Sequence, residues 1–129
     1  MPSSIIDTGI AFVERTSADL VEVRFKSGAV LSASGITALL DARERMAGAG
    51  PALVLIMFPN EQMDFELAMM TTDNYQGRPA QRHSRAVAWV TRNAHNDRFT
   101  RLYFTYFPSP VAAGIFMDEQ EARAWLRLQ

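Results

Sequence analysis

The sequence predicts an α/β domain built on a mixed, mostly parallel five-stranded sheet with an antiparallel pair at its beginning. Three observations predict it. ALVLIMF at 52–58 is apolar at every position, as expected of a strand covered on both faces and therefore of a sheet with helices on each side. Beyond the first two strands, segments of strand character alternate with segments of helical periodicity, which calls for parallel strands joined by crossover helices. The two strand-like segments at the start are separated by a link short enough for a hairpin. The predicted order is β-β-α-β-α-β-α-β-α.

GIAFVERT (9–16) and LVEVRFKSG (20–28) are the hairpin strands. Leu20, Glu22 and Arg24 lie on one side of the second, and Val21, Val23 and Phe25 on the other. In SASGITALLDARERMAGAG, Ile36, Leu39, Leu40 and Ala47 mark one helical face, while Asp41, Arg43, Glu44 and Arg45 are assigned largely elsewhere. Ser32 or Ser34 can cap the start, and Gly48 and Gly50 can end it. After the central strand a second helix is expected from Asp64 to about Tyr75, with Asp64 as its cap and Glu66 at its positive end. The later part of 71–84 reads as a polar loop, and RAVAWVTR (85–92) as a strand. The capping cluster 93–97 leads into a helix at 98–107, with Phe99, Leu102, Tyr103 and Tyr106 at i, i+3, i+4 and i+7 and Pro108 as its stop. VAAGIFM (111–117) is a short strand, and Asp118 with Glu121 resembles a capping box for a last helix that faces the core with Ala122, Trp125 and Leu126.

The 129 residues are expected to form a single domain, 1–129. The absence of cysteine excludes disulfides, thiolate metal sites and thiol catalysis. Thirteen basic residues against fourteen acidic ones leave a net charge of −1, which gives no general field for nucleic acid or an anionic bilayer. No basic leader with an apolar stretch begins the chain, and no run approaches the roughly 18 apolar residues of a membrane span. A cytoplasmic protein is the expectation.

From about Gly9 onward, this succession of elements resembles the STAS/SpoIIAA-like superfamily, which includes SEC14-like lipid-binding sequences. The ending GIFMDEQEARAWL (114–126), with Ala-x-x-Trp-Leu on a capped helix after a short strand, is similar to small bacterial members whose role is not established. The resemblance implies a SpoIIAA-like sandwich. In the anti-anti-sigma members of that superfamily, the helix after the central strand begins with a phosphorylatable Ser or Thr beside an Asp, where free amides and the helix dipole favour a phosphate. This chain has MDFE there. Asp64 matches the acidic position, yet no Ser or Thr occurs from Phe58 to Met70, and Thr71 and Thr72 fall about two turns later.

Catalytic, cofactor and metal signatures are missing from the sequence. Asn60, Glu61 and Asp64 are too few for an oxygen-ligated cation site, and His83 and His95 belong near opposite ends of a strand. No GxGxxG, Walker A, GxSxG or HExxH pattern occurs. No cofactor and no enzymatic activity are expected. Arg78, Arg82, His83 and Arg85, with Tyr75 and Gly77, form the one local basic concentration and could meet a phosphate or an acidic partner.

The apolar excess carries more information. Met57, Met63, Met69 and Met70 cluster around one turn and helix, and Phe104, Tyr106 and Phe107 add surface to an already amphipathic helix. Met69, Met70, Phe104 and Phe107 are therefore expected to meet a second subunit, a protein partner or an apolar ligand, with plain core as the remaining alternative. The leading reading is a non-enzymatic interaction or regulatory domain, dimeric, with no nucleic acid and no membrane span. The alternative is a binder of a lipid or other apolar small molecule, as the SEC14-like relationship implies.

Overall fold

The computed structural model describes residues 4–129. In chain order its elements are β1 (Ile5–Asp7), β2 (Ala11–Ser17), β3 (Leu20–Phe25), β4 (Val30–Leu31), α1 (Ala33–Ala47), β5 (Ala52–Met57), β6 (Asp64–Phe65), α2 (Leu67–Met70), α3 (Ala80–His83), β7 (Ser84–Val90), α4 (Ala94–Tyr106), β8 (Ala112–Phe116) and α5 (Glu119–Leu126). The main sheet has six strands in the order β1-β2-β3-β5-β7-β8. Its first three strands run antiparallel, and β3, β5, β7 and β8 run parallel.

All six residues of β5 are buried, because both faces of the sheet are covered at its centre. Val54 and Ile56 join a core built with α1, α2 and α4, which includes Leu39, Met69, Phe99 and Tyr103. Leu53, Leu55 and Met57 face the other way, toward Ala122 and Leu126 of α5. Ala86 and Ala88 of β7 are fully buried beneath that helix, and their small side chains let Ala122 approach closely. Thus α1, α2 and α4 thicken one side of the sheet, while α5 alone covers part of the other.

The β2–β3 hairpin closes between Ser17 and Leu20, with a register shift between Arg15 and Ser17. Arg15 reaches from the hairpin to donate to the carbonyls of Met46 (3.3 Å) and Ala47 (3.1 Å), satisfying the end of α1 with a cation. At the other end of α1, the Ser32 hydroxyl accepts from the Gly35 amide at 3.0 Å. Beyond α5, the second face of β2 and β3 carries charge. Glu22, only 5% exposed, accepts from Thr16 (2.8 Å), Arg24 (2.9 Å) and Arg123 of α5 (3.2 Å), so its buried carboxylate is fully paired. Edge strand β8 is met from α4 by Arg101, which donates to the Ile115 carbonyl at 3.3 Å.

Several boundaries differ from the sequence reading. β1 adds a sixth strand by pairing Ile5–Asp7 with Phe12–Glu14. Asp64 does not cap a helix: it lies in β6, opposite Val30 in a small parallel ladder with β4. The helix expected from Asp64 to Tyr75 is reduced to the single turn α2, and Glu66 at its N-cap makes no side-chain capping bond. Its carbonyls are taken locally: Thr71 donates to Leu67 O (3.0 Å), Thr72 to Ala68 O (2.5 Å), and Asn74 to Met69 O (3.1 Å). Side chains that bond nearby backbone in this way compete with helix propagation. Within the expected loop, residues 80–83 form the one-turn α3, and α4 begins at Ala94, four residues earlier than expected, behind an Asn93 cap.

Candidate functional site

Between α1 and α4, beneath the 67–75 segment, lies a cavity of about 50 Å³. Its wall is almost wholly apolar, with Phe25, Leu39, Phe58, Met69, Trp89 and Phe104 among its residues. Aromatic packing builds that wall. Phe58 stacks on Phe25 (4.9 Å between centroids) and meets Phe99 edge-on (5.7 Å), and Trp89 meets Phe104 edge-on (5.4 Å).

The roof is tied down through Tyr103. Its hydroxyl accepts from the backbone amide (2.9 Å) and side-chain amide (3.0 Å) of Asn74 and donates to Thr72 O (3.0 Å). Burial raises the Tyr103 pKa above that of a free phenol, against the opposing hydrogen bonds from Asn74. The hydroxyl therefore keeps its proton at neutral pH, as donation to Thr72 requires.

Arg43 enters the same cavity wall from α1. It is 4% exposed and donates to the Tyr75 hydroxyl (2.9 Å) and the Ser84 hydroxyl (3.2 Å). Its Nε has no hydrogen-bond partner, and neither does the buried Nε1 of Trp89 across the cavity wall. Arg43 takes part in none of the ion pairs among the described residues. The sequence reading assigned Arg43 to the polar side of its helix. Yet Ile36, Leu39, Arg43 and Ala47 stand at i, i+3, i+7 and i+11, so the helical period already put this arginine on the apolar stripe.

The residues singled out from sequence are distributed around this centre. Met69 is buried in the roof, and Met70 and Phe104 are half-buried along the wall. Phe107 packs partly buried against Tyr103 at 5.2 Å. Arg78 is committed to α1, pairing with Glu44 (2.8 Å) and Asp41 (2.9 Å). Burial disfavours its charge, but the two carboxylates more than offset this and raise its pKa. Arg82 and Arg85 are exposed and make no ion pair among the described residues. Arg78 is thus committed to intramolecular ion pairs that Arg82 and Arg85 do not share among the described residues.

The turn after β5 is structural. Asn93 donates to Asn60 O (3.0 Å) and Glu61 O (3.1 Å), while Asn96 donates to Glu61 O (3.0 Å) and accepts from Met63 N (2.9 Å). His95 Nε2 lies 2.9 Å from Met63 O. Among the described residues no three His, Cys, Asp or Glu gather in a way that could hold a metal ion.

A second, open cleft of about 540 Å³ lies at the carboxyl ends of β3 and β5, lined by Arg24, Asn60, Arg92, Glu119 and Arg123. Arg92, with φ of 70°, donates to Phe58 O at 2.7 Å. The three arginines are matched by Glu14, Glu22 and Glu119. The Arg123 hydrogen bond, opposed by partial burial and aided by Arg92, lowers the Glu119 pKa. This cleft is electrostatically self-contained.

A mixed sheet with three helices packed on one side and a C-terminal helix on the other defines a SpoIIAA-like α/β fold. A crystal structure of an uncharacterised DUF3478-family protein with a SpoIIAA-like fold, from Shewanella loihica PV-4, matches 98% of this chain and 96% of that chain with a TM-score of 0.54 at 17% identity. No protein-family model and no curated protein matches the sequence. The match establishes the fold that the sequence resemblance implied. Among the described residues no helix is long and apolar enough to cross a membrane.

Proposed function

We propose that the chain is a non-enzymatic SpoIIAA-like interaction domain that works as a homodimer, with the outer face of α4 as its contact. One observation carries this reading. Leu102 (48% exposed) and Tyr106 (71% exposed) stand one helical turn apart on the side of α4 that also presents Phe99. Phe65, itself 36% exposed, continues the apolar surface at 4.9 Å from the Phe99 ring. Leu67 follows it in sequence at 75% exposure. Exposed apolar side chains gathered on one side of the molecule in this way favour an isologous contact, in which the same surface from two copies is buried. Arg82 and Arg85 leave an exposed basic surface for an acidic protein partner. The absence of a hydroxyl between Phe58 and Met70 points to regulation by something other than phosphorylation at the start of α2.

The test is size-exclusion chromatography with light scattering. Wild type is expected as a dimer, and the double variant Leu102→Asp/Tyr106→Asp as a folded monomer with an unchanged far-UV spectrum. A wild-type monomer would refute the homodimer.

The cavity favours a second reading, a small-molecule site. At about 50 Å³ it is well below the roughly 300–1,000 Å³ of drug-sized pockets, so a whole acyl chain enters only if the wall rearranges. A compact ligand of a few atoms needs no such movement.

A further inference from the structure

We infer that the cavity beneath the 67–75 segment binds a small carboxylate, whose anionic end pairs with Arg43 and whose short apolar tail lies among the aromatic residues. This inference rests on the small-molecule reading of the cavity and is independent of oligomeric state.

Arginine carries a fixed positive charge, and burying one is costly unless an anion and hydrogen bonds compensate. Arg43 is 4% exposed, yet only two neutral hydroxyls, from Tyr75 and Ser84, accept its hydrogen bonds. No carboxylate oxygen lies within 4.0 Å of it among the described residues. The neighbouring acid Glu44 is occupied by Arg78 at 2.8 Å. The guanidinium also lies over the Tyr75 ring, 5.8 Å from its centroid, so among the described residues it faces only neutral groups and no anion.

The unpaired polar atoms agree in kind. Arg43 Nε and Trp89 Nε1 are both donors, both are buried without a partner, and both residues line the one cavity. Two lone donors in an apolar wall call for an acceptor. A carboxylate supplies acceptor oxygens and the missing charge together, and its pairing with a guanidinium is charge-assisted. The walls supply the remaining selectivity. Phe25, Phe58 and Phe104 offer no polar group to a ligand tail, and the cavity volume of about 50 Å³ restricts that tail to a few carbons. A monocarboxylate of about propionate size satisfies both ends.

The geometry also explains the ordering of the roof. Tyr75 bonds Arg43 while the adjacent Asn74 bonds Tyr103, so the 72–75 segment is fastened to α1 and α4 at once.

The experiment follows the indole N–H resonance of Trp89 in ¹⁵N-labelled protein, assigned by Trp89→Phe against the other tryptophan, Trp125. Sodium propionate is titrated against two controls at matched ionic strength, propionamide and sodium chloride. The expected result is a saturable shift of the Trp89 indole resonance with propionate, at least tenfold weaker binding of propionamide, and no specific response to chloride. Arg43→Met is expected to abolish propionate preference, and Arg43→Lys to retain part of it.

Equal binding of propionate and propionamide would overturn the anion assignment while leaving a small-molecule cavity. Silence toward both would overturn the cavity reading as well. Should Arg43→Met fail to fold, the wild-type comparison of acid with amide still decides.

Discussion

Replacement of Asn96 by alanine is expected to be the most damaging polar truncation in the turn after β5. Asn96 is 0% exposed, and its side chain joins three separate backbone positions: it accepts from Met63 N (2.9 Å) and donates to Glu61 O (3.0 Å) and Thr91 O (3.1 Å). Glu61 O retains a second donor in Asn93, but no other partner of the Met63 amide is formed within this network. At about 1 kcal/mol net per hydrogen bond, with an added penalty for a buried amide left unpaired, the loss is about 2–4 kcal/mol. Against a typical stability of about 5–15 kcal/mol this is a large fraction, equivalent to a melting temperature lower by roughly 10 °C for a domain of this size. Urea unfolding followed by tryptophan fluorescence reads it as a lower midpoint at unchanged slope. Asn93→Ala removes a helix cap and contacts to exposed carbonyls, so its loss is expected near 1 kcal/mol. An Asn96→Ala variant within about 0.5 kcal/mol of wild type, or more stable than Asn93→Ala, would refute the view that Asn96 is the chief polar tie of this turn.

Two further perturbations follow from the α5 side of the sheet. Glu119 has its pKa lowered chiefly by its hydrogen bond to Arg123, so its ionised form is favoured in the folded state. That contribution is fully present above the ordinary glutamate value of about 4.3 and is lost as pH falls through the lower folded value. Wild type is therefore expected to exceed Glu119→Gln modestly in urea midpoint at pH 7, with the gap closing in acid; a gap that persists undiminished in acid would sink this assignment. Gly114→Ala would place a methyl 2.6 Å from Phe116 Cε2 and 3.3 Å from Trp125 Cδ2, forcing the Phe116 ring off its packing partner. A loss of about 1–3 kcal/mol is expected, and a wild-type urea midpoint would show that the ring yields freely.

What could be read from sequence followed from periodicity. ALVLIMF is apolar throughout because β5 is buried on both faces, and Val21, Val23 and Phe25 alternate with charged neighbours because α1 covers one side of β3. Phe99 and Tyr103 were recognisable as inward-facing, but a periodic pattern does not state how wide the buried stripe is. Leu102 and Tyr106, in the same pattern, remain outside. The segment after Asp64 misled for a different reason. FELAMM satisfies a helix or an extended link equally well, and the outcome was set by nonlocal partners: Val30 pairs with Asp64, and Tyr103 captures the backbone at 72 and 74. β1 is only three residues long, too short for alternation to stand out. In the candidate site the aromatic and methionine wall was legible as apolar excess. Arg43 was concealed by its residue type, since charge suggested solvent while its spacing specified the core.

The order of the sheet leaves β1 and β8 as its two margins. Growth by addition of a foreign strand is the standing hazard of such margins, and the two are blunted differently. β1 offers only three residues, too short a template for a stable ladder. β8 is longer, but Arg101 occupies the Ile115 carbonyl at its middle, so an incoming strand must first displace a charged side chain. Both margins are thus poor templates for backbone pairing with another chain.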